Sequence, residues 1–143
     1  MHFENGSHYF KTVIVFLGDN RPSPSQVRIE GCDQLPCRWG GGGDIPIEID
    51  FKAPVAAEEL NPNVRITVLG LGFDWPLAPE LRVGCNQIVN AECPLAAQDE
   101  AMFQTIFPGA SGIPPLPVQV EITITNEQDE DIFCTQFDVN FST

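Results

Sequence analysis

Apolar and polar residues alternate along most of the chain. Ile45, Ile47, Ile49 and Phe51 fall on one parity, with Pro46, Glu48 and Asp50 between them. Val64, Ile66 and Val68 alternate with Arg65 and Thr67, and Val118, Val120, Ile122 and Ile124 with Gln119, Glu121 and Thr123. Phe133, Phe137, Val139 and Phe141 share a parity opposite Gln136, Asp138 and Asn140. Successive side chains of a strand point to opposite faces, so this period of two predicts strands with one wet and one buried face. Val27 and Ile29 suggest a further short strand, and Ala101 to Phe107 a less regular one.

Turn signals separate these runs: Gly40 to Gly43, Asn61-Pro62-Asn63, Pro114-Pro115 and the acidic stretch from Asn126 to Asp131. Short strands so punctuated, with no convincing helix, predict an all-β fold, an antiparallel sandwich. No internal repeat is visible. An immunoglobulin domain proper would join its sheets with a disulfide around a core Trp. The close cysteines here can clip only local loops, which argues against that variant.

Length and charge narrow the picture. At 143 residues the chain is one domain by size, large enough for a real core. No apolar run approaches the roughly 18 residues of a membrane-spanning helix. With 7 Lys plus Arg against 20 Asp plus Glu, the net charge of −13 repels phosphate backbones, so nucleic acid is a poor partner.

Five cysteines form two close pairs and a singleton: Cys32 with Cys37, Cys85 with Cys93, and Cys134. This spacing suggests two local disulfides and an odd thiol, hence an oxidising compartment. Zinc would favour Cys-x-x-Cys pairs with histidine nearby, whereas His2 and His8 both lie far upstream, so no metal site is expected. Residues 1–18 form an extension of open status: a degraded signal, a misjudged gene start, a cloning remnant or an extra strand. They lack the positive start of a signal peptide. The remainder, 19–143, is the domain. Asn5-Gly-Ser and Asn140-Phe-Ser are glycosylation sequons, relevant only to a secreted chain.

Catalytic patterns are missing from the sequence. The Gly40–Gly43 run lacks the Lys-Ser/Thr of a phosphate loop and precedes a strand rather than a helix. There is no Gly-x-Ser-x-Gly elbow, and the carboxylates fall on wet faces and in turns. No enzyme and no cofactor is expected. Gly70-Leu71-Gly72-Phe73-Asp74-Trp75-Pro76-Leu77-Ala78-Pro79 is apolar yet broken by Gly and Pro. It reads equally as the rim of a cavity or as an ordinary core edge.

The ordered set of Pro36-Cys37 before a Gly-rich turn, Trp75-Pro76-Leu77 ahead of Cys85, Cys93-Pro94-Leu95, and Phe133-Cys134 in a final strand resembles the MD-2-related lipid-recognition family, near its Niemann-Pick C2 type. The resemblance covers roughly Val27 to Thr143. It implies a non-catalytic, two-sheet antiparallel sandwich of the immunoglobulin-like kind that binds a sterol, fatty acid or similar lipid in a cavity between its sheets. The implied lining is Ile45, Ile47, Ile49, Val64, Ile66, Val68, Phe73, Trp75, Pro76, Ile113, Val118, Val120, Ile122, Phe137 and Val139. It also implies a secreted or lysosomal, monomeric carrier meeting a receptor or acceptor protein.

Two departures stand out. The family places a cysteine near its N-terminus to pair with the last one, and here none precedes Cys32. Cys134 is then an unpaired thiol, expected to face away from the cavity under the N-terminal chain. The stretch Pro108 to Pro114 puts Gly109 and Ile113 where sterol-binding members carry an aromatic at the mouth, which weakens the case for cholesterol itself. The rival readings are a filled-core extracellular recognition or adhesion module acting through its acidic loops, and a lipid-presenting immune co-receptor.

Overall fold

The computed structural model describes residues 10–13, 21–32, 34–40, 44–107 and 116–142. Ten strands are present among them: β1 (Phe10–Val13), β2 (Gln26–Glu30), β3 (Cys37–Gly40), β4 (Ile45–Lys52), β5 (Asn61–Val68), β6 (Leu71–Trp75), β7 (Ile88–Val89), β8 (Glu100–Phe107), β9 (Pro117–Thr125) and β10 (Asp131–Ser142). The only helical pieces among the described residues are two single 3-10 turns, Pro79–Leu81 and Gly84–Gln87. The strands form two five-stranded sheets, ordered β1-β2-β4-β8-β7 and β3-β10-β9-β5-β6. The expected all-β sandwich is therefore present. Phe10–Val13 pairs antiparallel with β2, so this part of the N-terminal extension is an added edge strand. The predicted turns at 41–43 and 114–115 lie outside the described residues.

Three features depart from the pattern read in the sequence. Asn61-Pro62-Asn63 is not a turn but the start of β5, paired with Thr125, Ile124 and Thr123. β3 runs parallel to β10, so the second sheet is mixed rather than wholly antiparallel. Finally, the register of β10 against β9 shifts between Asp131 and Phe133. This bulge inserts Ile132 as an extra residue, and both Ile132 and Phe133 end up buried.

The core lies between the inner faces. Val27, Ile29, Ile47, Ile49, Phe51 and Phe103 of the first sheet meet Ile66, Val120, Ile124, Phe133, Phe137 and Val139 of the second, and all are buried. The Phe133 ring reaches across the sandwich, 5.2 Å from Phe51 and 6.2 Å from Phe103, centroid to centroid. On the outer face of the first sheet, Arg28 pairs with Glu48 at 3.0 Å and Asp50 at 2.8 Å. The hydrogen bond to Asp50, helped by Glu48, raises the Arg28 pKa above its ordinary value. Asn126 organises the β9–β10 turn: its amide nitrogen donates to Ala56 O, and its Oδ1 accepts from the backbone N–H groups of Gln128 and Glu130.

The loop from Pro76 to Asp99 is fastened along one side of the sandwich. Gly84 N–H donates to Leu60 O at 2.8 Å, and a Cβ there would sit 2.7 Å from that oxygen, so the close approach requires glycine. Ala57 and Leu95 exchange backbone hydrogen bonds, and Cys85 is joined to Cys93. The other disulfide joins Cys32 to Cys37. By the loop-closure relation, removing Cys85–Cys93 with serines should cost about 2.5 kcal/mol, and Cys32–Cys37 about 2 kcal/mol. Denaturant unfolding of each double variant measures this, and a loss well under 1 kcal/mol would show that the loops are held without their clips.

Candidate functional site

The two sheets do not cover each other completely. β6 is the edge of the second sheet and pairs only with β5, in the register Val64–Trp75, Ile66–Phe73 and Val68–Leu71. Its inner residues therefore share a face with the core residues of β5, but with less of the first sheet opposite. Leu71 is 75 % exposed and Phe73 46 % exposed, and Leu69, at the hairpin tip, is 79 % exposed. The Leu69-Gly70 turn holds both residues at positive φ, 53° and 80°, the geometry that closes a two-residue hairpin.

Where the overlap ends, an apolar cleft opens between the sheets. Ile47 of β4 and Phe103 and Phe107 of β8 form one wall, and Val64 of β5 and Ile122 of β9 the other. Leu77 and Leu81, from the fastened loop, and Pro62 complete the rim. Its free volume is only about 10 Å³. That is room for one water at most, whereas an apolar cavity that admits benzene measures about 150 Å³. The cleft as it stands is closed.

Trp75 is half-buried at the edge of this cleft. Its ring stacks on Phe107 of the opposite sheet at 5.6 Å and 26°, and lies 6.5 Å from Phe73. It thus bridges the sheets at the point where they part. The polar side chain in the lining, Thr105, is satisfied: its hydroxyl donates to Gln87 Oε1 at 2.8 Å, and Gln87 Nε2 donates in turn to Leu81 O and Val83 O. No titratable side chain lines the cleft among the described residues. A site of this kind can hold hydrocarbon by burial, but offers nothing to orient a sugar or phosphate.

Of the residues singled out from the sequence, the cleft brings together Ile47, Val64 and Ile122. Ile49, Ile66, Val118, Val120, Phe137 and Val139 are buried, while Ile45, Val68 and Trp75 are partly buried and pack against the core. Phe73 and Pro76 are exposed rather than enclosed, because β6 projects beyond its cover. Ile113, with the whole 108–115 segment, lies outside the described residues. The alternation had not marked Phe103, Phe107, Leu77 and Leu81 as lining. Phe103 and Phe107 do share one parity of β8, the signal that could have found them.

Cys134 is buried on the side of β10 away from the cleft. Its Sγ accepts from the Thr123 hydroxyl at 3.3 Å, and its backbone N–H donates to Pro22 O at 2.8 Å. Arg21 anchors the same N-terminal segment through Glu121 at 3.1 Å. Chain 21–25 therefore covers the part of β10 that β3 does not reach, protecting an otherwise open edge.

The comparisons agree with this architecture. A family model described as the ML domain matches residues 18–141. The chain is 25 % identical over 114 residues to a zebrafish (Danio rerio) protein named NPC intracellular cholesterol transporter 2, covering 80 % of this chain and 74 % of that one. The bovine (Bos taurus) protein of the same name is 22 % identical over 114 residues, with the same coverage of 80 % and 74 %. Among solved structures, a Niemann-Pick type C2 protein from the Japanese carpenter ant superposes with a TM-score of 0.75 at 21 % identity, over 94 % of this chain and 99 % of that one. With the family model spanning all but the ends of the sequence, the chain belongs to the ML domain family.

Proposed function

We propose that this protein binds a hydrophobic ligand, a sterol, fatty acid or similar lipid, between its two sheets and carries it without chemistry. The observation that carries this reading is the cleft itself. Its lining is apolar, its one hydroxyl is already bonded within the protein, and it lies where the edge strand leaves the sheets poorly covered. Burying about 15 methylenes there would yield roughly 12 kcal/mol gross at ~0.8 kcal/mol each. Association and ordering costs remove several kcal/mol, leaving room for micromolar affinity or better without a polar contact. Because the cleft is closed at about 10 Å³, the ligand must part the sheets, at the β6 edge rather than through the packed core. Membership of the ML domain family and the cholesterol-transporter names of two relatives support the reading.

The two disulfides suit an oxidising compartment, so the proposed setting is extracellular or lysosomal. The closed cleft also favours a second reading, a recognition module with a filled core, which would use the exposed Leu69, Leu71 and Phe73 as its contact surface. Extraction of protein purified from its natural secretion, followed by mass spectrometry, separates the two. The carrier should release about one lipid per chain. A lipid-free extract, with no uptake of added sterol or fatty acid, would favour the module.

A further inference from the structure

Thr135 carries the only buried side-chain N or O atom without a hydrogen-bond partner among the described residues, its Oγ1. The residue is 1 % exposed. It lies two positions from Phe133, whose ring crosses to Phe51 and Phe103, so it shares the inward face of β10. Strand register puts it in one row across the second sheet: Thr135 beside Ile122, Ile122 beside Val64, Val64 beside Trp75. Trp75 marks the open edge of this row, and Val64 and Ile122 line the cleft. At about 4.8 Å per strand, Thr135 stands one strand behind the cleft and roughly 14 Å in from Trp75.

A hydroxyl in that place is costly, because it has surrendered water and received nothing in exchange. Valine would fill the same space at no such cost. A buried water is a poor remedy, since it needs two or more polar partners. The inward residues of β9 and β10 around Thr135 are Val120, Ile122, Ile124, Phe133 and Phe137. The other inward hydroxyl, on Thr105, is already bonded to Gln87. We infer that the partner of Thr135 is supplied by the ligand: the cavity takes a lipid bearing one uncharged, hydrogen-bonding oxygen on the end that enters deepest. A carboxylate is unsuited to that position, because the inward residues of β9 and β10 around it are all uncharged, and an unpaired buried charge is far costlier than a hydroxyl. This inference rests on the proposed lipid site and adds the polarity of its ligand. A sterol ring hydroxyl, a hydroxylated sterol side chain and a hydroxylated fatty chain share the required chemistry.

The test compares cholesterol with 25-hydroxycholesterol, and hexadecanoic acid with 16-hydroxyhexadecanoic acid, on the wild type, Thr135→Val and Thr135→Ser. Thr135→Val should weaken the ligand whose oxygen reaches the floor by about tenfold, the worth of one hydrogen bond of about 1.4 kcal/mol. Thr135→Ser, which keeps the hydroxyl, should retain most of that affinity. A loss confined to 25-hydroxycholesterol assigns the sterol side chain, a loss on both sterols the ring hydroxyl, and a loss confined to the hydroxy acid the fatty chain. Affinities that Thr135→Val leaves unchanged throughout would overturn the inference while leaving lipid binding intact. If the wild type bound none of the four lipids, both would fall.

Discussion

Phe133→Ala should destabilise the protein by about 3 to 5 kcal/mol, the range for large aromatic truncations in a packed core. Phe133 has no exposed surface and touches two phenylalanines of the opposite sheet. Its strand is paired on both sides of the position, by β9 and by the 21–25 segment at Cys134, so the backbone has little freedom to close the hole. The urea midpoint should fall with little change in slope. A loss below about 1 kcal/mol would mean that the sheets can collapse around the gap.

Trp75→Ala should behave differently. Trp75 is half-buried and makes its cross-sheet contact at the margin, with Phe107, so its removal should cost about 1 to 2 kcal/mol of stability. The larger effect should fall on lipid binding. The indole offers a broad rigid face to an aliphatic or ring-fused ligand at low entropy cost, and it sits where the sheets must separate. Wild-type tryptophan fluorescence should respond to added sterol or fatty acid chiefly through Trp75 rather than Trp39. Thermal unfolding and lipid titration on the same pair of proteins decide the matter. A severe stability loss with unchanged affinity would make Trp75 a core residue and displace the site from this edge.

The contrast between these residues shows what the sequence could convey. Alternation located β2, β4, β5, β8, β9 and β10, because each has one buried face. It missed β3 and β7, which are too short to show a period. β6 was hidden because Leu69-Gly70 is not a familiar turn pair, and because its inner face is exposed. Asn61-Pro62-Asn63 has turn composition, yet register with β9 makes it strand. The two cysteine clips were legible because their partners are close in sequence. Which inward residues line a cleft and which fill a core was not legible. Ile47 and Ile49 have the same chemistry and parity, and only the incomplete overlap of two distant strands makes one of them lining. Thr135 shares the inward parity of Phe133 and Phe137, but its unmet hydroxyl shows only once its neighbours are in place.

The most direct test of the inter-sheet site is to plug it. Val64 lines the cleft and is 8 % exposed, so Val64→Phe would place a ring in the path of a ligand without opening a hole. Overpacking should cost about 1 to 3 kcal/mol, which the fold can tolerate and circular dichroism can verify. Titration of sterol or fatty acid into wild type and Val64→Phe should then show one site per wild-type chain, and at least about tenfold weaker binding to the variant, a loss of about 1.4 kcal/mol or more. Equal affinity for both proteins, with the variant folded, would contradict a site between the sheets.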